Sequence, residues 1–379
     1  MRKSFRYLPV ILFAAGACAQ TAPSGLTLRQ AVDQALHNNL QTQIARERIV
    51  ESRAQRGAGL SALLPNISGA AYQMSMTENL ASQGLSASVF PGIPAFIGPF
   101  DRFDARIQMV QSLFNLASIR RYQAARQGVD LAGERRQLAE QQVITAASLA
   151  YIGLLEASES VAAAEANVQL AKRLLDLAAN QRTAGIATGL DVARAETRLA
   201  SQQVQLAQAE TNQDTARLSL LRVIGAPLAA PVSPAEAMRF QPQPPPPAGD
   251  AVTQALDARL ELRVASQELR IAQAERKAAI GAWVPSVAAF GDYGSSGLKP
   301  NEVDLPTRSI GIRIDVPVFD GGRTRSEIQA TGSRVRQAEM QLADLRAAVE
   351  KDVRQALDNL ATRAEQMRAA QKNLDLAQR

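Results

Sequence analysis

The sequence predicts a mainly α-helical chain that carries four β-strands and is built as two copies of one unit. Three observations predict it. Short motifs recur along the chain at a nearly constant offset. One heptad seam of apolar residues runs through eleven positions without a break. A stretch near residue 310 alternates apolar and polar side chains with a period of two.

The copies come first, because a repeat governs every later assignment. AVDQAL (31–36) returns as AVTQAL (251–256), and Leu64-Pro65 returns as Val284-Pro285, both at an offset of 220. Further on, SLFNLASIRR (112–121) corresponds to PVFDGGRTRS (317–326) at 205, and ANVQLAKR ending at Arg173 to KNLDLAQR ending at Arg379 at 206. The fall in offset places an insertion in the first copy, in the Gly-, Pro- and Ser-rich stretch 79–101, which reads as a loop. The expected organisation is a leader over 1–19, a first copy over 20–225, a connecting segment over 226–249 and a second copy over 250–379. QPQPPPP (241–247) in the connector is stiff and extended, since proline cannot continue a helix. By internal symmetry the second copy is expected to be cut short at its C-terminus, because the counterpart of 174–225 has no match before residue 379.

Each copy reads helix, strand, strand, long helix. In the first copy 27–63 is helical in pattern, with Thr27 as a candidate N-cap and Pro65 as the stop. Strands are expected at 66–76 and 104–114. The second copy repeats this with a helix at 250–283, strands at 286–294 and 307–319, and a helix from about 322. In the second of these strands Ile310, Ile312, Ile314, Val316 and Val318 share one face, opposite Ser309, Gly311, Arg313 and Asp315. Alternation alone fits either an ordinary half-buried sheet or a membrane barrel strand with lipid on one side and water on the other.

The seam decides the architecture. From Val143 it passes through Ala147, Ala150, Leu154, Ala157, Val161, Ala164, Val168, Ala171, Leu175 and Ala178, at spacings of four and three. A helix over 116–182 is on the order of 100 Å long. At TAGIATG (183–189) the heptads stop, Gly185 and Gly189 suit a turn, and Thr188 or Gly189 caps the next helix. A second seam runs from Val192 through Ala195, Leu199, Leu206, Ala209, Ala216 and Leu220 to Val223. Residues 116–224 are thus expected to form an antiparallel coiled-coil hairpin with its tip near 183–190. A third seam follows Val349, Val353, Ala356, Leu360, Met367, Ala370, Leu374 and Ala377.

The ends and the composition narrow the function. MRKSFRYLPVILFAAGACAQ (1–20) has the basic start, apolar run and small-residue exit of a secretory leader. Its apolar run is too short to span a bilayer, and no later run is expected to form a membrane-spanning helix. Simple cleavage before Gln20 is the reading adopted, and lipidation at Cys18 is the alternative. The chain has one Cys and one His, so Cys/His zinc sites are excluded and no metal or other cofactor is expected. The net charge of +6 includes Arg2, Lys3 and Arg6 of the leader. No basic run is interleaved with aromatics, which argues against a nucleic-acid partner. Gly321-Gly322 lacks phosphate-loop spacing, His37 stands alone, and Asp33 and Glu47 form no recognisable acid pair, so no enzyme is expected. Aromatics are only 4% of the chain, which suits helices packed through alanine seams rather than a large globular core.

Four strands cannot close a barrel, and open edges in lipid leave backbone groups unsatisfied. Two, three or four copies would give 8, 12 or 16 strands. At this point the sequence resembles a known family. SALLPNI (61–67), QSLFN (111–115), AGIATGLDVARA (184–195), LLRVIG (220–225), WVPSV (283–287) and IDVPVFDGGR (314–323), in this order and duplicated across nearly the whole chain, resemble the TolC-like outer membrane efflux proteins. The resemblance implies a mainly α fold with membrane β: a homotrimer whose twelve strands close one barrel above a long helical periplasmic tunnel. It implies a passive export conduit in the outer membrane of a Gram-negative bacterium. Its implied partners are a periplasmic adaptor, an inner-membrane pump of RND, ABC or MFS type, and outer membrane lipid. It implies an adaptor-docking hairpin tip at Thr183, Gly185, Thr188, Gly189, Leu190 and Asp191. A barrel reading puts Arg313 and Asp315 toward the lumen and Ile310, Ile312, Ile314 and Val316 toward lipid. The gate residues of the family are expected beyond Arg379. The competing expectation is a periplasmic adaptor, which also carries a leader and a heptad hairpin but usually only one.

Overall fold

A computed structural model describes residues 25–83, 92, 94–237, 244–300, 302 and 305–377. The leader with Cys18 and its alternative fates lie outside the described residues, as do parts of the insertion and of the proline-rich connector. In chain order the elements are α1 (Leu28–Asn38), α2 (Leu40–Ser61), β1 (Asn66–Asn79), a 3-10 turn (Leu80–Gln83), β2 (Phe96–Phe114), α3 (Leu116–Thr183), α4 (Gly189–Ile224), α5 (Ala248–Ala258), α6 (Leu260–Gly281), β3 (Ser286–Gly297), β4 (Leu305–Asp315) and α7 (Arg323–Ala377). They fall into two compact units, Met1–Gln43 with Glu140–Phe240, and Ile44–Ala139 with Gln241–Arg379.

In the first unit the core joins α1, α3 and α4. Ala31 and Ala35 of α1 pack with Val143, Ala147, Tyr151, Leu154 and Leu155 of α3 and with Leu220, Leu221 and Ile224 of α4. The two hairpin seams behave as the heptads demand: every position from Val143 to Ala178 and from Val192 to Val223 is buried or half-buried, and most of the residues flanking them face solvent. Thr27 caps α1 through a capping box with Gln30. The Tyr151 hydroxyl donates to the Leu26 carbonyl at 2.9 Å inside the core. Gly225 ends α4 in the left-handed region, at φ 69°, where a Cβ would sit 2.8 Å from that of Asn38. Against expectation, α3 is by length and composition apolar enough to cross a membrane. Of that apolar stretch 28% is buried: Val143, Ala147, Tyr151, Leu154 and Leu155 lie in the core of this unit, whereas Ile144, Leu149 and Ile152 are exposed.

The second unit is a four-stranded antiparallel sheet in the order β1-β2-β3-β4, with α5, α6 and α7 packed around Leu262, Leu342 and Val349. The strands are longer than the sequence suggests. β1 runs on to Asn79 and β2 begins at Phe96, because Glu78 and Asn79 pair with Ile97 and Phe96 beyond a bulge. β3 and β4 extend similarly, to Gly297 and from Leu305. The two hairpins do not stand apart, since β2 and β3 pair from Phe103 to Phe114. At its other end β4 stops short, at Asp315. Ser286, its last partner, follows Pro285, and Pro317 offers no amide. Val316 therefore lies past the strand, a correction to the expected run. Beyond Val353 the third seam is exposed from Ala356 onward, and among the described residues nothing covers it.

Both expected first helices are broken in two. Asn39 takes an extended conformation, φ −65° and ψ 132°, and its side chain replaces the lost ladder: Oδ1 accepts from the Gln41 amide at 2.8 Å, and Nδ2 donates to the Val223 carbonyl at 2.8 Å. Arg259 breaks the other helix, at φ −66° and ψ 123°, with no side-chain cap. All four bounds of α5 and α6 follow those of α1 and α2 at an offset of 220, the offset of the sequence motifs.

Candidate functional site

Two places carry functional character, the sheet in one unit and the hairpin tip in the other. Because paired residues share a face, the register sorts the sheet into two surfaces. Ile67, Met109, Gly291 and Ile310 form one row of the first surface; Ala289 and Ile312, then Val287 and Ile314, continue it. No described residue covers this surface: Ile310 is 91% exposed and Ile312 69%. β4 keeps the alternation from Ser309 to Asp315. β1 does not, for its Tyr72 and Met74 lie on the opposite surface with Asp104 and Arg102.

The second surface is polar and internally paired. Arg106 on β2 donates through Nε to Asp104 Oδ1 at 2.6 Å and through Nη1 to Asp292 Oδ2 on β3 at 3.1 Å. A further guanidinium hydrogen reaches Asp104 Oδ2, and the Ser309 hydroxyl of β4 donates to Asp292. Asp104 is 1% exposed, so its charge is held almost wholly by this bidentate bond. The cross-strand partner of Arg106 is Gly294. A Cβ there would lie 2.4 Å from Arg106 Cβ, so the missing side chain is what lets the arginine lie across β3 toward Asp292. Similarly, the Phe290 ring lies over Gly311, its pair on β4. Arg313 and Asp315 are on this same surface, paired with each other at 3.2 Å and exposed. They line an open depression of about 350 Å³ with Asn66, Ser112 and Asn115.

The tip is a compact turn. Ala184 and Gly185 donate back to Asn180 and Arg182 at 3.0 Å each, and Ile186 to Gln181 at 2.9 Å. Gly185 takes a φ of 73°, open to glycine without strain. Thr183 bonds its own helix at Ala179. Of the two expected caps Thr188 is the one used. Its hydroxyl accepts from the Asp191 amide at 3.3 Å, and its own amide donates to the Asp191 carboxylate at 2.9 Å. Gly189 opens α4 beside the Arg182 guanidinium. The Thr188 hydroxyl, followed by the Thr188 amide, holds the Asp191 carboxyl below the usual carboxylate range. Leu190 is 59% exposed, and Ile186, which sequence reasoning passed over, is 79% exposed. The only signal for Ile186 was a lone apolar residue between turn-formers.

The two-faced sheet and the heptad hairpin define a class: membrane-associated proteins with long helical hairpins. The comparisons make the class specific. The model of the outer membrane efflux protein family matches residues 31–226 and 251–379, and the chain belongs to that family. The alkaline protease secretion protein AprF of Pseudomonas aeruginosa is 25% identical over 348 residues, covering 90% of this chain and 71% of AprF. The outer membrane protein TolC of Escherichia coli is 21% identical over 269 residues, covering 68% of this chain and 54% of TolC. The outer membrane channel CmeC of Campylobacter jejuni superposes with a TM-score of 0.72 at 19% identity, over 92% of this chain and 76% of CmeC. The protein is therefore an outer membrane efflux protein with the TolC-like channel fold. The adaptor alternative falls, since the family match takes in both copies.

Arg106→Gln is expected to strand the buried Asp104 charge and to destabilise the sheet by about 3 kcal/mol or more. Adding Asp104→Asn should recover much of that loss. Thermal unfolding of the purified protein checks both, and equal midpoints for the single and double variants would speak against the pairing. At the tip, the depressed Asp191 pKa means the cap's contribution is complete above the ordinary carboxylate range and is lost as pH falls through the lower, folded value. Hydrogen exchange at 184–192, corrected for intrinsic rates, should stay protected at pH 5 and open only in stronger acid. Thr188→Ala should move that opening to higher pH.

Proposed function

We propose that the chain is one third of a passive outer membrane conduit for exported small molecules or proteins. Three chains bring twelve strands together, so that each β4 edge finds the β1 edge of a neighbour. The apolar surface with Ile310, Ile312 and Ile314, and Val316 just beyond the strand, meets lipid. Arg313 and Asp315 meet the aqueous lumen. The observation that carries this reading is the sheet itself: an uncovered apolar surface and two open edges, in a chain of this family. An uncovered sheet of this kind is an aggregation site in water and a barrel wall in lipid.

The long helical hairpins extend the conduit into the periplasm. The tip at Thr183, Gly185, Thr188, Gly189, Leu190 and Asp191 docks a periplasmic adaptor, which links the conduit to an inner-membrane pump of RND, ABC or MFS type. Exposed Leu190 and Ile186 support a docking role, because apolar side chains at a turn have no core of their own to fill. In this organisation 1–19 is a cleaved leader, 20–225 and 250–379 are the two copies, and 226–249 connects them. The AprF name speaks of protease secretion, and export of a protein cargo fits the same conduit.

The full-length gene product should fractionate with the outer membrane and crosslink as a trimer; a soluble periplasmic monomer would overturn the conduit reading. For the sheet, Arg313→Cys should react with a membrane-impermeant thiol reagent and Ile312→Cys should not. The reverse pattern would exchange lumen and lipid.

A further inference from the structure

On the apolar surface of the sheet one cation breaks the chemistry of its neighbours. Arg308 of β4 pairs directly with Tyr293 of β3, and the row continues to Ile107 and Gly69. Both side chains stand on the same surface as Ile310 and Ile312, and Tyr293 is 65% exposed. The described groups around Arg308 on that surface are Pro306, Ile310, Gly291, Ser295 and Tyr293, none of which is an acid. Asp292 and Ser309 point to the other surface, and Glu302 is engaged with Lys299. Among the described residues Arg308 has no ion-pair partner, unlike Arg106 and Arg313, which are both paired on the polar surface.

Its position along the strand explains how such a cation is tolerated. From Ile314, the last apolar residue of β4, to Arg308 is six residues, about 20 Å of extended strand. Exposed Ile314 stands at one end of the apolar row of β4, and Arg308 with Tyr293 stands at the other. Beyond Arg308 the next row holds Pro306 and Ser295 with Ala105 and Ala71, and the one after it Gln73 with Phe103. A tyrosine and an arginine at such a border keep their stems in hydrocarbon and their polar ends in the headgroup layer.

We propose that Arg308, with Tyr293 beside it, forms an anchor for the phosphate of an anionic lipid headgroup at the edge of the apolar surface. The inference rests on the reading that this surface meets lipid. A planar guanidinium presents paired donors to phosphate oxygens, and the tyrosine hydroxyl adds one more. Pairing of β4 with a neighbouring chain would leave the anchor on the same surface, because side chains stand perpendicular to the ladder.

The test uses the purified oligomer in detergent, titrated with dioleoylphosphatidylglycerol or dioleoylphosphatidylcholine and followed by native mass spectrometry. Arg308→Gln should weaken phosphatidylglycerol binding about five-fold and leave phosphatidylcholine binding unchanged. Arg308→Lys should keep most of the affinity, and Arg102→Gln, a charge removed from the polar surface, should have no effect. Unchanged phosphatidylglycerol binding in Arg308→Gln overturns the anchor. So does displacement of the lipid by equimolar inorganic phosphate, which would mark a site for free phosphate. The Ile312→Cys labelling above tests the lipid-facing reading separately: protection of that cysteine together with an indifferent Arg308→Gln rejects the anchor alone.

Discussion

A peptide group at the edge of a sheet must send its hydrogen bond somewhere, and in hydrocarbon there is no water to take it. This constraint organises the molecule. Four antiparallel strands satisfy one another internally but leave one side of β1 and one side of β4 open. The apolar surface of the same sheet has no covering layer among the described residues. Neither feature is tolerable in a soluble monomer, and the proposed closure into a barrel with identical neighbours would resolve both.

The helical part meets a different requirement with the same economy. Long helices gain little from propensity alone and depend on burying a stripe. In α3 and α4 that stripe is mostly alanine, valine and leucine, and it is covered along its full length. The same choice accounts for the scarcity of aromatics, because a narrow seam has little room for a ring. Tyr151 is the exception, set in the junction of α1, α3 and α4, where its hydroxyl also finds the Leu26 carbonyl.

Features that repeat with a period were legible in the sequence. The seams from Val143 to Val223 and the alternation from Ile310 to Ile314 needed only counting, and Thr188 was one of two foreseen caps. Features made by single residues far apart in the chain were not. Arg106 and Asp292 are separated by 186 residues, and nothing local in either strand announces the bond between them. The breaks at Asn39 and Arg259 were missed because the apolar pattern continues across them, while the reason for the first is a carbonyl at Val223. The end of β4 was placed too late, at 319 rather than Asp315, because side-chain alternation continues through Val316 and Val318 after the backbone pairing has ended.

The β2–β3 ladder also sets an order of events. Its partners, such as Phe103 with Gly297 and Phe114 with Val287, lie on either side of the whole α3–α4 hairpin. During export the β1–β2 ribbon emerges first, with both edges and one apolar surface unprotected, and waits for some 170 residues before β3 can arrive. Contacts of such long range form slowly and leave a chain exposed to aggregation in the interval. The Arg106–Asp292 bond can thus form only once the second hairpin has docked on the first.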